Sequence, residues 1–210
     1  VAGWKMQRTG KTTNKDRDQA LGETGNEESS ALFNEKHDYS ANLKCVANSN
    51  TVPVNIGALV GHAVLTSIAI STNNKSHATM DLSGHNHPAN AHANTLQQAA
   101  HGIAVAKKFG AIDFLGGTGA TGSALVSGNI TIACQHEDQE DDAGAHLIGE
   151  NYNCLITAVT VWTGRVATPA VAAWDVTVQE VPEANTGHIT TTVTGVKTLT
   201  LAVPTPPPVE

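Results

Sequence analysis

The residues best equipped for chemistry lie mid-chain, in Gly84-His85-Asn86-His87-Pro88, with His92 and His101 following. Imidazole nitrogens are the commonest protein ligands for transition metals, and a group of histidines near a helix start can hold one. The candidate metal set is therefore His85, His87 and His92. The competing reading is a polar loop whose histidines hydrogen-bond or face solvent. That reading is adopted, so no metal and no cofactor is expected.

His85-x-His87-Pro88 resembles the core of the Mov34-type metalloprotease motif, in which two His and a downstream Asp hold zinc. In that motif S-x-x-D follows the Pro after seven residues. Here that place holds Leu96-Gln97-Gln98-Ala99, so both the Ser and the third ligand are missing. HExxH is absent as well. Gly10-Lys11-Thr12 is only superficially a phosphate loop, because the required upstream Gly is replaced by Lys5. Gly117, Gly119 and Gly122 match the dinucleotide spacing, but they follow a predicted helix and precede a strand, the reverse of that fingerprint. Neither GxSxG nor a cysteine in a helix-start context occurs. The acidic run Glu137 to Asp142 lacks calcium-loop spacing and reads as a solvated loop. The chain is not expected to be an enzyme.

The elements that position these residues are mostly β. Asn94 is an N-cap candidate, apolar residues recur at helical spacing from Leu96 to Phe109, and Gly110 is a stop, which predicts one helix over 94–109. Alternation predicts strands in the segments Tyr39 to Cys45 and Val64 to Ile70, with Asn73-Asn74 turning into a hairpin partner. Further strands are expected in NITIACQH, from Cys154 to Trp162, from Trp174 to Val181 and from His188 to Val196, running on through LTLAV. Residues 1–30 are polar and without periodicity, so they read as an extended N-terminal arm, with Trp4 and Met6 as anchors for a neighbouring subunit. The Gly-rich connector 116–129 is a second contact candidate. A β-rich domain then spans 31–203, with halves 31–84 and 124–203 around the helix, and a Pro-rich tail occupies 204–210. Cys45, Cys134 and Cys154 are far apart and odd in number, so no disulfide framework is expected. No run reaches the length of a membrane span, and the sequence shows no cationic-then-apolar leader, so neither membrane nor signal peptide is expected.

The halves also resemble each other. Tyr39 and Tyr152, Leu43 and Ile156, and Val46 and Val159 share one spacing, as do Asn74 and Asn185 with Gly84 and Gly195. Aromatic residues make up only 4% of the 210 residues, so each core side chain buries little and neighbouring subunits are expected to contribute. The formal charge of −7 disfavours a grip on nucleic-acid phosphates; it reads first as solubility, with a channel through which DNA slides as the second reading.

A polar arm, short strands in two halves, one helix and an acidic surface together resemble structural proteins of tailed-bacteriophage virions, most of all tail tube proteins. The segments ending in NNKSHATMDLSG and ANTGHITTTVTG look like the closing hairpins of such proteins. The resemblance implies an antiparallel β-sandwich or barrel with one central helix. It also implies homo-oligomeric rings, commonly six-fold, stacked into a tail tube in the virion. Partners would be the chain itself and other virion proteins, with DNA only as passing cargo. Glu27, Glu28, Glu137, Asp138, Glu140, Asp141 and Asp142 are the candidates for an acidic lumen. A capsid decoration or head-tail joining protein is the alternative, with a His-cluster metal-binding module behind it.

Overall fold

A computed structural model of the protein describes residues 3–46, 55–60, 63–73, 75–87, 123–140, 146–168, 173–182 and 189–200. The expected helix 94–109, His92, residues 116–122, Asp141, Asp142 and the tail 204–210 lie outside the described residues. Nine strands form one antiparallel sheet: β1 (Trp4–Leu21), β2 (Glu27–Cys45), β3 (Leu59–Val60), β4 (Ala63–Asn73), β5 (Thr79–Asn86), β6 (Ala124–Glu140), β7 (His146–Thr163), β8 (Asp175–Pro182) and β9 (Ile189–Thr198). The protein is thus mainly β and antiparallel.

The period-two pattern explains the sheet. Leu43, Met80, Ile70, Ile130 and Ala158 are successive cross-strand partners over β2, β5, β4, β6 and β7. Ala41, Leu82, Ile68, Ile132 and Ile156 form the next row. Side chains two residues apart share a face, so these rows stack into one apolar strip, and its isoleucines are essentially sealed from solvent. Burying each of them contributes about 1.5–3 kcal/mol. Branched Cβ atoms suit the pleat, which is why Val64 to Ile70 adopts β4 rather than a helix. At the β4–β5 turn Asn73 Oδ1 accepts from the backbone N–H of Lys75 and of Ser76, both at 2.8 Å, as expected for an Asn-centred turn.

The strand order is β1-β2-β5-β4-β6-β7-β9-β8, with β3 paired to β4 alone. The two outer strands are β1 and β8. Beyond His37, β2 has left β5 behind, so Asp16 to Leu21 and Glu27 to Phe33 pair only with each other as a two-stranded ribbon. Its tip turns at Gly25, whose φ of 76° falls in the left-handed region that glycine tolerates.

Several expectations change here. Of the expected arm, residues 4–30 enter β1, the turn after it and the start of β2, because charged residues can alternate on a ribbon exposed on both faces. Trp4, expected as an anchor for a neighbour, is 6% exposed and belongs to this chain's own core. Met6 stays 55% exposed. The acidic run is no loop up to Glu140: β6 carries Glu137 to Glu140 as a strand, paired with β7. Residues 124–129 of the Gly-rich connector also belong to β6. Cys134 and Cys154 are disulfide-bonded across β6 and β7, with Cα atoms 4.0 Å apart. Three cysteines thus leave room for one bridge, and the antiparallel pairing supplies the proximity. Cys45 is buried.

Candidate metal centre

Strand alternation puts His85 of β5, and His87 just past its end, on the side opposite Met80 and Leu82. They are nevertheless only 3% and 2% exposed. The cover comes from β6. Its ladder with β4 runs only as far as the pair Ser67 and Ala133, after which Gln135 to Glu140 pair with β7 alone. A register shift marks this change of partner, and Asn153 on β7 takes a φ of 48° there. Freed from β4, the end of β6 brings His136 and Asp138 to His85 and His87.

Asp138 is the hub. Its Oδ2 lies 3.2 Å from His87 Nε2 and 3.2 Å from the Lys36 ammonium on β2. Its Oδ1 lies 2.8 Å from His136 Nε2 and 3.6 Å from His85 Nε2. The His85 and His136 rings are 4.3 Å apart at their centroids. Behind them, His136 Nδ1 is 2.9 Å from Oδ1 of the buried Asn151 on β7. That contact settles the outward ring nitrogen and leaves Nε2 directed at Asp138.

Two glycines make room. A Cβ at Gly84 would collide with the Val64 carbonyl oxygen, so glycine lets β4 and β5 close up beside His85. A Cβ at Gly149 would sit 2.9 Å from both Asp138 Oδ1 and His136 Cε1. The absence of a side chain at these two positions is what lets the cluster close.

The electrostatics run in one direction. Burial pushes the His85 imidazole below its ordinary value, the Lys36 and His136 charges push it further, and the Asp138 carboxylate opposes them. For Asp138, burial pushes upward, but hydrogen bonds and charge from His136 and His85 outweigh it and hold the carboxyl well below the usual carboxylate range. The result is a carboxylate among imidazoles. One nitrogen each from His85 and His87 and one Asp138 oxygen all lie within 4.8 Å of one another. Two imidazoles and a carboxylate are the donor set of zinc and non-haem iron sites that keep open coordination positions.

The candidates named from sequence are thus redistributed. His85 and His87 come together, while His92 lies outside the described residues. Asp138 leaves the acidic lumen set, because its side chain is 15% exposed and faces the histidines. Glu27, Glu28 and Glu137 are exposed, and Arg17 binds Glu27 at 2.6 Å. Glu140 ends β6. Lys36, His136, Gly149 and Asn151 were missed. The available signal was a second pair of ligand types two residues apart, His136-x-Asp138, which on a strand points to one face just as His85-x-His87 does. Where the motif would place its third ligand, a carboxylate, this chain has Ala99; the carboxylate beside the two histidines is Asp138, 51 residues beyond His87.

Among the described residues no helix is long and apolar enough to cross a membrane. No family model matches the chain, and no curated protein matches it.

Proposed function

We propose that this protein is a self-assembling virion structural protein of tail-tube type, without catalytic activity. It closes into rings through its edge strands, and the rings stack into a tube that passes DNA. The observation that carries this reading is the β4–β6 joint, where two four-strand units of the same internal order meet edge to edge. The order β1-β2-β5-β4 recurs as β6-β7-β9-β8, each unit placing its third long strand outermost. Each chain is then two similar β units, curved together as part of a sandwich or barrel wall.

The β1–β2 and β6–β7 registers agree, shifts included, whereas the β4–β5 ladder has a shift after Leu65 that β8–β9 lacks. Leu21 and Glu27 flank the first hairpin turn as Glu140 and His146 flank the second. Superposing these turns places Tyr39 on Ala158 and Leu43 on Trp162. The partners follow: Tyr39 pairs with Gly84 and Ala158 with Gly195, while Leu43 pairs with Met80 and Trp162 with Thr191. The spacing of Gly84 and Gly195 read from sequence therefore stands. The matches of Tyr39 with Tyr152 and of Leu43 with Ile156 slide by several residues, because alternating strands align about equally well at any even offset.

Inside the chain the row through Leu43, Met80 and Ile70 continues across the joint to Ile130. Its counterpart, Trp162, Thr191 and Glu180, reaches the sheet edge at β8. Ile130 stands opposite Ala158 as Lys11 stands opposite Tyr39. Lys11 of a second copy is therefore the residue that would continue the row, opposite Glu180. Charge agrees with this pairing. β1 carries Lys5, Arg8, Lys11, Lys15 and Arg17 against Asp16 and Asp18, whereas β8 carries Asp175 and Glu180 with no Lys or Arg. Open edges invite strand addition, and a head-to-tail contact of this kind closes into rings. The β1–β2 ribbon, with Leu21 and Leu32 more than 60% exposed, is the contact assigned to the next ring.

Negative-stain electron microscopy over a concentration series tests the reading. Tubes or stacked rings are expected. Closed rings that never stack would point to a head-tail joining protein, and monomers at high concentration would sink self-assembly. Native mass spectrometry then counts chains per ring, since three chains already present six units.

A further inference from the structure

We propose that His85, His87 and Asp138 form a binding site for one divalent first-row transition-metal ion, of which Zn2+ is the reference, joining the two β units. The inference does not depend on the assembly reading. Three features of the cluster go beyond what a buried polar network requires. The donor atoms converge from two strands that are not neighbours in the sheet, with His85 on β5 and His87 just past its end in one unit and Asp138 on β6 in the other. The surroundings are shaped for it: Gly149 presents only a hydrogen to Asp138 and His136, so an added methyl would occupy the space at the carboxylate. An outer layer is present too, because Asn151 Oδ1 faces His136 Nδ1 while His136 Nε2 meets Asp138 Oδ1. Partners that orient a ligand in this way are the usual second layer of a metal centre. His136 is therefore a positioning residue for Asp138.

Lys36 has a defined part. Its ammonium contacts Asp138 Oδ2, the same oxygen that His87 approaches, and its side chain is 31% exposed. It holds the position of a cation on that carboxylate and can swing into solvent when a metal ion enters. It competes with the metal rather than ligating it, because an ammonium offers no lone pair. A metal ion in place of Lys36 replaces a single hydrogen-bonding charge by a bond network spanning β5 and β6, and should clamp the two units together.

The test uses the full chain, freed of metal by chelation and dialysis and then titrated with Zn2+ by calorimetry and with Co2+ by visible absorption. The expected result is one ion per chain, ligand-field absorption of a four- or five-coordinate Co2+ site, and a rise in Tm on adding Zn2+. Asp138→Asn and His87→Gln should each weaken binding by at least tenfold, and His136→Gln by about tenfold to a hundredfold through ligand orientation. Lys36→Met removes the competitor at a partly exposed position, so it should bind Zn2+ more tightly than the wild type. It also keeps the test decisive where a ligand variant fails to fold. Less than stoichiometric metal in the wild type would overturn the proposal. So would equal affinity in Asp138→Asn and His87→Gln, which would place the ion on other histidines of the ten in the chain. Equal or weaker binding by Lys36→Met would overturn the placement of the ion on Asp138 Oδ2.

Discussion

Asp138 keeps its charge in a setting that would ordinarily protonate it, because Lys36, His87, His136 and His85 surround its two oxygens from β2, β5 and β6. This arrangement carries a pH signature. Both His85 and Asp138 have folded-state pKa values below their ordinary 6.5 and 3.8, so the folded chain binds fewer protons than the unfolded one as pH falls. Stability is then fully present above pH 6.5 and declines below it, first through His85, by at most about 1.4 kcal/mol per pH unit for a single group. Urea unfolding of metal-free protein between pH 7.5 and 5.5 checks this. The decline should flatten in His85→Gln, and an unchanged slope would assign it elsewhere. Gly84→Ala belongs to the same scale. Its methyl would meet backbone at Val64 rather than a yielding side chain, so a loss of about 1–3 kcal/mol is expected from the same unfolding measurement. His85-x-His87 was legible from sequence as a ligand pair. Its completion was not, since nothing in the order of residues says that β6 outruns β4.

At the scale of elements, β4 and β5 could be read from alternation because one face is apolar and the other polar. The β1–β2 ribbon could not, because burial never sorts its faces: from Lys5 onward β1 is exposed throughout. Its polar sequence looks like an unstructured arm, yet hydrogen bonding to β2 makes it a strand. The β6–β7 hairpin is longer than the apolar pattern of its strands, and the disulfide pins it midway. Cys134 and Cys154 are 20 residues apart, so the bridge removes about 3 kcal/mol of loop entropy from the unfolded chain. Cys154→Ser should lower stability by about 2–3 kcal/mol in denaturant melts, and reduction of the wild type should have the same effect. Equal melts with and without reductant would show that the bridge does not form in solution.

At the scale of the whole molecule, the order of the first four long strands recurs in the last four, and among the described residues β1 and β8 are the edge strands. In the proposed assembly, β8 of one copy would accept β1 of the next as β4 accepts β6 within the chain. Lys11→Glu should reduce assembly by reversing one charge of the edge, and Glu180→Lys should do likewise. The double exchange should restore assembly, as read by sedimentation or by tube counts in micrographs. Disulfide trapping of Lys11→Cys on one copy to Glu180→Cys on another reports the register directly. Failure of both, with tubes still present, would place the ring contact on other surfaces.

The sequence by itself determined that the protein is β-rich and acidic, that a turn falls at Asn73, and that two histidines stand as a pair, because these follow from local composition and a period of two. The repeat was visible only as an echo. Its true register needed the hairpin turns, since alternating strands match one another at every even shift. The partners of the histidines, the disulfide and the identity of the edge strands were decided by tertiary structure alone. Each depends on which strand lies beside which, and that order is set by the burial of rows shared across five strands rather than by any one segment.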